Sequence, residues 1–171
     1  MTVYLSQLLS ALPQELILEI PLEMNIPIFG IVLDSRQVKP GCMFVALTGS
    51  NVDGHRYILS AIQNGATAVV GSEFQDGLSV PYIRVTDSRK ALAYLAAAFY
   101  QHPARNLTVM GVTGTDGKTT TVNLIYSILK AAGLKAGIIS TVNAIIGDEI
   151  LDTGIHVTTP ESVDLQRYLA Q

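Results

Sequence analysis

The residues with the clearest chemistry form one run, Gly114-Thr115-Asp116-Gly117-Lys118-Thr119-Thr120-Thr121. Glycines allow the backbone N–H groups of such a loop to converge on one anion. A helix that begins near Lys118 would add unpaired N–H groups and a partial positive charge at its N-terminus. The Lys118 ammonium would contact the β- and γ-phosphates, and the Thr119 hydroxyl would ligate a Mg²⁺ bound to the same oxygens. The run therefore predicts a nucleotide phosphate site. Thr120, the next residue, is a second candidate for phosphate contact or Mg²⁺ ligation.

The segments on both sides of this loop fit a strand and a helix. Residues 107–112 are apolar and rich in β-branched side chains, as expected for a buried parallel strand. Apolar residues recur downstream at helical spacing, at Val122, Ile125, Leu129 and Ala132. The standard phosphate-loop pattern needs a glycine five residues before Gly117, and Val112 stands there instead. The alternative is a glycine-rich turn with a surface lysine, but the strand, loop and helix together favour the phosphate site.

The rest of the chain alternates between strand and helix patterns. Strands are predicted at residues 28–33, 43–47, 66–70 and 82–85. Helices are predicted at 5–12, which Pro13 ends, at 57–64, which Gly65 ends, and from an Asp87 cap to Pro103. Alternation of this kind indicates a small α/β domain over residues 1–104.

A second unit is predicted over residues 105–171. The strand at 107–112, the helix up to a stop at Gly133, and a strand at 136–141 would form a βαβ crossover. Residues 144–151 are typical of a hairpin that turns at Gly147-Asp148, and Pro160 would open a last helix. The predicted fold class is therefore α/β in both units, with the second a phosphate-loop, Rossmann-like unit.

Composition excludes several classes of protein. Hydrophobic residues make up 49% of the chain and charged residues 15%, which suits a buried parallel sheet and argues against disorder. A net charge of -3 without a basic stripe argues against nucleic acid as the partner. No leader pattern or membrane-length apolar run is visible, so we expect a cytoplasmic protein.

Cysteine and histidine give no sign of a metal centre. Cys42 is the only cysteine, so no intrachain disulfide or cysteine-based metal site can form, and its apolar neighbours favour a small core residue. The three histidines, His55, His102 and His156, are not spaced as metal ligands. Each is expected to be a surface or hydrogen-bonding histidine.

Residues 111–121 resemble the ATP loop of the Mur ligases, the ATP-dependent amide-bond synthetases that build the peptidoglycan stem peptide. The resemblance runs through nearly the whole chain in order. Further segments that are similar to this family are residues 33–36, 40–47, 53–57, 87–93, 97–103, 158–161 and 164–166. The family resemblance implies a UDP-binding first domain followed by the start of a central ATP-binding domain.

The resemblance also implies an activity. The parent enzyme would add the third amino acid to UDP-N-acetylmuramoyl-L-alanyl-D-glutamate through an acyl phosphate, with ATP and Mg²⁺. The residues implied to bind ATP are Gly114, Thr115, Asp116, Gly117, Lys118, Thr119 and Thr120, with Lys118 as the catalytic residue and Thr119 as the metal ligand. The expected partners are therefore ATP and the UDP-muramoyl dipeptide, with no nucleic acid and no membrane insertion.

A second ligand site is implied in the first domain. Asp34-Ser35-Arg36 follows an apolar strand and so would lie at the carboxyl edge of a sheet, although its residues alone also fit a polar turn. The residues implied to contact the uridine nucleotide and its sugar are Leu33, Ser35, Ser50, Asn51, Val52, Thr158 and Thr159. Ser50 replaces a frequent histidine. Thr158 and Thr159 could equally cap the helix that Pro160 opens, and the two roles can coexist.

Asp116 departs from the asparagine that the family usually carries in this loop. A carboxylate about 4 Å from phosphate oxygens would repel them by up to roughly 4 kcal/mol at an effective dielectric constant of 20, unless a Mg²⁺ lies between them. We therefore expect weaker nucleotide binding with a stronger dependence on Mg²⁺.

The length of 171 residues is short for a three-domain ligase. We expect a truncated central domain, no ligation by this chain alone, and a second unit that is loosely ordered, self-associating or held against the first domain, because its apolar faces lack cover. The alternatives are a non-catalytic module for UDP and ATP, and another acyl-phosphate ligase such as folylpolyglutamate synthetase. The latter shares the loop but does not explain the segments 34–36 and 97–103.

Overall fold

The computed structural model describes residues 2–49, 52–140, 144–147, 149–151 and 160–171. The chain divides into two compact units, Met1–His102 and Pro103–Gln171. No helix in the described part of the chain is long and apolar enough to cross a membrane.

A five-stranded sheet forms the centre of the first unit. In sequence its strands are β2 (Ile17–Glu19), β4 (Gly30–Val32), β5 (Cys42–Val45), β6 (Ala66–Gly71) and β7 (Tyr82–Val85), and their spatial order is β2-β7-β6-β5-β4. Strands β4 to β7 are parallel, and β2 pairs antiparallel with β7 at one edge. The remaining elements of this unit are β1 (Val3–Tyr4), α1 (Leu5–Leu9), β3 (Pro27–Ile28), α2 (Ile58–Gln63) and α3 (Ser88–Phe99).

The two central parallel strands, β5 and β6, are buried on both faces, which is why their sequences are almost continuously apolar. All four residues of β5 are buried, and Met43, Phe44 and Val45 have no exposed surface. The predicted strands at 43–47, 66–70 and 82–85 are confirmed to within about two residues. Cys42 is a buried free thiol that packs in a cluster with Phe44 and Ile58.

Helix α3 begins as predicted. The Asp87 carboxylate accepts hydrogen bonds from the backbone N–H groups of Arg89 and Lys90, both at 3.0 Å. The buried face of the helix consists of Ser88, Ala91, Leu92, Leu95, Ala96 and Phe99. The helix stops at Phe99 and not at Pro103, because Gln101 and His102 both adopt left-handed backbone angles, with φ of 60° and 54°.

Three other predictions for this unit need correction. The segment 28–33 is divided between β3 and β4, and the helix predicted at 5–12 ends at Leu9. The helix predicted at 57–64 begins with the 3₁₀ turn Gly54–Tyr57 and becomes α-helical only from Ile58. The short strands β1 and β2 were not predicted, because two or three residues carry no periodic signal.

The second unit contains α4 (Lys118–Ala131), a three-stranded sheet and α5 (Ser162–Ala170). The sheet has the order β10-β9-β8 and consists of β8 (Ile138–Ile139), β9 (Ala144–Ile146) and β10 (Glu149–Leu151). The predicted hairpin is confirmed, since β9 and β10 pair antiparallel around Gly147, which has a φ of +60°.

The βαβ crossover predicted for this unit is wrong in the described structure. Residues 107–112 form no strand, and β8 pairs antiparallel with β9. The side chains of Leu107, Val109 and Met110 are 49%, 61% and 54% exposed. A strand needs a neighbouring edge for its backbone hydrogen bonds, and no described strand of this unit pairs with these residues. An apolar run without that neighbour stays irregular.

The other elements of the second unit follow the prediction in part. Of the described residues 136–140 in the strand predicted at 136–141, Ile138–Ile139 form a strand, and residue 141 lies outside the described residues. Helix α4 has no fully buried residue; Val122, Ile125 and Leu129 are half-buried, and Ala132 is exposed. The helix ends where expected, with Gly133 at a φ of +75°. Pro160 precedes α5 by two residues.

Candidate functional site

The phosphate loop is an open turn that leads directly into α4. Gly114 has a φ of +153° and Gly117 a φ of +76°, so both adopt angles that disfavour other residues. Gly117 is the N-terminal cap of α4, and no side chain of that residue can cap the helix. The first helical residue is Lys118, as the sequence predicts. The loop therefore presents the positive end of a 14-residue helix at its exit.

Lys118 is held over this loop. Its Nζ donates hydrogen bonds to the carbonyl oxygens of Gly114 at 2.5 Å and Thr115 at 3.0 Å. These bonds keep the ammonium group above the turn, so a phosphate oxygen arriving there would meet the cation at once. Three of the predicted ATP-binding residues, Gly114, Thr115 and Lys118, are thus joined by direct contacts.

The other predicted residues of this site line the same turn. Asp116 and Thr120 are exposed, and Thr119 is half-buried in the first turn of α4. The hydroxyl of Thr119, together with phosphate oxygens and water, is the all-oxygen set that Mg²⁺ prefers, so the residues present fit this ion. The exposed Asp116 carboxylate adds an oxygen of the same type. The loop therefore offers hydrogen-bond donors to an anion and an oxygen ligand for a cation.

Metal-binding side chains meet elsewhere in the described residues, at Asp53, His55 and Glu73 of the first unit. Both ring nitrogens of His55 are already in hydrogen bonds. Nε2 accepts the backbone N–H of Ser72 at 2.9 Å, so the proton lies on Nδ1, which donates to Oδ1 of Asp53 at 2.6 Å. This cluster is a hydrogen-bonding network rather than a metal centre.

His55 is buried, and its side chain is only 2% exposed. The sequence predicts a surface or hydrogen-bonding histidine, and the hydrogen-bonding alternative is confirmed. The hydrogen bonds of His55 to Asp53 and Ser72 hold the C-terminal end of the loop 48–54 next to the end of β6. The local signal was the pair Asp53 and His55, because the Asp53 carboxylate also accepts the His55 backbone N–H in a turn of the Asx type.

The predicted uridine-contacting residues begin after β4. Ser35 is 7% exposed and starts the 3₁₀ turn Ser35–Gln37. Its carbonyl oxygen accepts a hydrogen bond of 2.9 Å from Nδ2 of Asn64, which fixes the turn to the end of α2. Leu33 precedes this turn and is half-buried. Both residues therefore lie at the carboxyl end of the parallel sheet, as predicted.

Asp34 and Arg36 form a local ion pair in this turn. The guanidinium donates to both carboxylate oxygens, with Nη2 of Arg36 at 2.7 Å from Oδ2 of Asp34. Hydrogen bonds from the Arg36 side chain, and then from its backbone N–H, lower the pKa of Asp34 to about 2. The turn thus keeps a charged carboxylate at the surface across the ordinary pH range.

The loop after β5 is closed at its base. Thr48 and Asp53 form an antiparallel bridge, and the Gly54 N–H donates to the Leu47 carbonyl oxygen at 2.8 Å. Val52 at the tip is 55% exposed. The predicted contacts Ser50 and Asn51, and likewise Thr158 and Thr159, lie outside the described residues.

Comparison with known proteins connects both units to one family. The model of the Mur ligase family, catalytic domain, matches residues 27–100, and the Mur ligase middle domain matches residues 112–171. The chain is 48% identical over 143 residues to the UDP-N-acetylmuramyl-tripeptide synthetase of Treponema pallidum, which covers 82% of this chain and 26% of that protein. It is 43% identical over 149 residues to the UDP-N-acetylmuramoyl-L-alanyl-D-glutamate--2,6-diaminopimelate ligase of Bacteroides fragilis, covering 86% and 30% of the two chains.

Solved structures agree on the architecture. A UDP-N-acetylmuramoyl-L-alanyl-D-glutamate--2,6-diaminopimelate ligase has a similar fold, with a TM-score of 0.71, 24% identity, and 99% of this chain and 33% of that chain covered. The MurF ligase from Thermotoga maritima, solved in complex with ADP, gives a TM-score of 0.54 at 30% identity over 80% of this chain and 28% of that chain. The α/β fold class predicted from the sequence is thereby confirmed. The chain spans 26% and 30% of the length of the two curated relatives named above.

Proposed function

Because this chain belongs to the Mur ligase family, we propose that it supplies the nucleotide-binding parts of an ATP-dependent amide-bond ligase of peptidoglycan synthesis. The substrate of that ligase would be UDP-N-acetylmuramoyl-L-alanyl-D-glutamate, to which it adds the third amino acid of the stem peptide. The observation that carries the proposal is the loop at 114–117, with Lys118 held above it at the start of α4.

The proposed reaction proceeds through an acyl phosphate. A carboxylate oxygen of the D-glutamate attacks the γ-phosphorus of ATP, and ADP leaves. The amine of the incoming amino acid then attacks the acyl carbon, loses a proton and expels phosphate. Lys118 would exchange its carbonyl acceptors for phosphate oxygens and neutralise the charge that develops during transfer.

Magnesium enters this proposal through the Thr119 hydroxyl. When bound, the ion supplies charge neutralisation across the β- and γ-phosphates. Asp116, exposed in the same turn, would repel those phosphates by up to roughly 4 kcal/mol at about 4 Å and a dielectric constant of 20, and solvent lowers that figure. The loop should therefore bind ATP weakly at low Mg²⁺ and more tightly as Mg²⁺ rises.

The first unit would hold the uridine end of the other substrate. Leu33 and Ser35 follow β4, and the loop that carries Ser50, Asn51 and Val52 follows the neighbouring strand β5. Ligands of open parallel sheets bind at this carboxyl edge. Thr158 and Thr159 remain proposed contacts to the muramoyl peptide. We further propose that the activity is cytoplasmic, as it is for the Mur ligase family.

Calorimetric titration of the chain with Mg-ATP and with UDP tests this proposal. Both nucleotides should bind, and Lys118→Ala should abolish ATP binding while UDP affinity stays unchanged. Asp116→Asn should raise ATP affinity at low Mg²⁺ and have less effect at high Mg²⁺; equal affinities at low Mg²⁺ would remove the role of the carboxylate. If the folded chain binds neither ATP nor UDP, the proposal is refuted.

Turnover assays distinguish the ligase from the alternatives. We expect no ligation by this chain alone, so ATP-dependent formation of a tripeptide product would require revising that expectation. If the chain binds UDP but not ATP, a non-catalytic uridine-binding module is favoured. Binding of ATP without UDP would favour another acyl-phosphate ligase that shares the loop.

Self-association is a further proposal for the second unit. Helix α4 exposes Leu124 and Ile128 by 61% and 58%, which is apolar surface that a second copy could cover. Size-exclusion chromatography over a concentration series tests it. A monomer at all concentrations, with uniformly slow amide exchange, would contradict it.

A further inference from the structure

The dipeptide Asn64-Gly65 follows α2 directly. Asn64 is the C-terminal cap of the helix and is exposed to solvent, and Gly65 has a φ of +103°. Each of the other asparagines in the sequence precedes a residue with a side chain, namely Ile26, Val52, Leu107, Leu124 or Ala144. Asn64 is therefore distinguished from them by the glycine that follows it.

A glycine after an asparagine permits the loss of the side-chain amide. The backbone nitrogen of the glycine can attack the asparagine Cγ, because no Cβ hinders its approach. The attack closes a five-membered succinimide ring, and the side-chain nitrogen leaves as ammonia with the proton of the attacking N–H. Water then opens the ring at one of its two carbonyl carbons and leaves aspartate or isoaspartate. The reaction consumes one water, releases one ammonia and converts a neutral amide into a carboxylate.

Hydrogen bonds hold both residues of the dipeptide in the folded chain. Nδ2 of Asn64 donates to the carbonyl oxygen of Ser35 at 2.9 Å. The Asn64 N–H donates to the Ser60 carbonyl oxygen at 3.0 Å. The Gly65 N–H donates to the Ile62 carbonyl oxygen, also at 3.0 Å. Attack by the Gly65 nitrogen thus requires the last turn of α2 to open, and the ends of short helices open locally.

A carboxylate at position 64 cannot replace the amide in its bond to Ser35. The amide nitrogen donates, whereas an ionised carboxylate only accepts. The Ser35 carbonyl oxygen would then face another acceptor, in a residue that is 7% exposed. The other hydrogen bond that the described residues give this oxygen comes from the Val38 N–H at 3.4 Å, which is long. The turn Ser35–Gln37 would therefore lose its attachment to α2.

We propose that Asn64 is a site of spontaneous deamidation, and that its conversion releases the turn Ser35–Gln37 from the end of α2. The reaction needs only water. Its effect on ligand binding rests on the proposed function, because Ser35 is a proposed contact of the uridine nucleotide. A chain that has been converted at this position holds UDP less tightly, while its phosphate loop in the second unit is unchanged.

Peptide mapping by mass spectrometry tests the modification. The full, folded chain is incubated at mildly alkaline pH and then digested with trypsin. Cleavage after Arg56 and Arg84 releases a peptide in which Asn64 is the only asparagine. We expect this peptide to gain the mass of an amide-to-acid conversion before any other asparagine-containing peptide does. If Asn64 remains an amide while the unfolded chain converts it, the proposal is wrong.

Asn123 is the internal control for this measurement. It is exposed on α4, and its Nδ2 also donates to a backbone carbonyl oxygen, that of Thr119 at 2.8 Å. Leu124 follows it, so the attacking nitrogen is hindered. Conversion of Asn123 as fast as that of Asn64 would show that the glycine has no effect, and would overturn the proposal.

Amide hydrogen exchange in Asn64→Asp tests the release of the turn. The amides of Gln37 and Val38 donate within this turn, to the carbonyl oxygens of Asp34 and Ser35. Both should exchange about two- to tenfold faster than in the parent chain, the net value of one hydrogen bond. Asn123→Asp adds the same charge on α4 and should leave both rates unchanged. Equal rates in Asn64→Asp and the parent chain would mean that the amide does not hold the turn, which contradicts the proposal.

Titration with UDP separates this inference from the proposed function. Asn64→Asp should lower the affinity for UDP about two- to tenfold and leave the affinity for Mg-ATP unchanged. Because coupling between two events is reciprocal, saturating UDP should also slow the conversion of Asn64. Equal UDP affinities would overturn the effect on binding. If the folded chain binds no UDP, the proposed function fails, and the mass and exchange measurements still decide whether Asn64 is the deamidation site.

Discussion

Replacing His55 by alanine should destabilise the first unit by about 2–4 kcal/mol. The substitution leaves the Ser72 N–H without its acceptor, and one unpaired buried donor alone costs about 1–3 kcal/mol. It also removes the side-chain donor to the Asp53 carboxylate, which keeps only its bond from the backbone N–H of residue 55. The imidazole is also tightly packed, since a Cβ at Gly71 would lie 3.0 Å from its ring. The space left by the ring adds a further cost, of the order of 1 kcal/mol.

Native-state hydrogen exchange is the suitable assay, because a chain of two units need not unfold in a single transition. The amides of Val69 and Val70 lie in β6, and both side chains are fully buried. A loss of 2–4 kcal/mol corresponds to exchange that is roughly 30 to 700 times faster, at about 1.4 kcal/mol for each tenfold change. His55→Gln should show a smaller increase, because its amide oxygen can still accept the Ser72 N–H.

The control is His102→Asn. His102 is only half-buried, and asparagine tolerates its φ of 54° better than most residues, so exchange in β6 should stay within about twofold of the parent chain. An increase of less than about threefold for His55→Ala would refute the reasoning. It would mean that the bonds to Ser72 and Asp53 contribute nothing net to the fold.

Three further predictions concern single contacts. Carboxyl-detected NMR should give a pKa of about 2 for Asp34, below its ordinary 3.8, and Arg36→Gln should raise it. Because the folded-state pKa is the lower one, the pair stabilises the chain above about pH 4 and this contribution is lost as the pH falls towards 2. Asp87→Ala should cost about 0.5–2 kcal/mol in urea denaturation, and a loss below about 0.3 kcal/mol would contradict the capping role. Gly117→Ala should weaken Mg-ATP binding and loosen the first turn of α4, because a φ of +76° costs an alanine about 1–2 kcal/mol. Gly111→Ala is the control, because an added Cβ meets no atom within 4 Å at either glycine and only Gly117 has a positive φ. Equal ATP affinities for the two variants would rule out a backbone effect at Gly117.

The sequence was most informative where one segment decides its own structure. Strands β5 and β6 were predicted because a strand buried on both faces needs a continuous apolar run. The start of α4 at Lys118 followed from the glycine before it, and the start of α3 from the Asp87 side chain. These signals lie within a few residues of the feature that they determine.

The features that the sequence did not predict depend on distant partners. His55 and Ser72 are 17 residues apart, and Asn64 and Ser35 are 29 apart, so nothing local indicates these bonds. The run at 107–112 has the composition of a strand but no partner strand in the described structure. Composition can favour an extended backbone, but only a neighbouring edge satisfies its hydrogen bonds. The roles of the candidate site residues stay predictions.

The two hydrogen bonds that Lys118 makes to its own loop have a consequence for how fast a nucleotide is captured. A long, freely rotating side chain loses about 2 kcal/mol of rotamer entropy when it is immobilised. Here much of that freedom is already restricted, because Nζ bridges the carbonyl oxygens of Gly114 and Thr115. When a polyphosphate binds, Nζ then has only to exchange the two carbonyl oxygens for phosphate oxygens a short distance away. The slow step becomes the breaking of the hydrogen bonds to those carbonyl oxygens. Methylation of the amine keeps the charge but removes donors, so it would release Nζ from the carbonyl oxygens and return the entropy cost of ordering the side chain to the binding step.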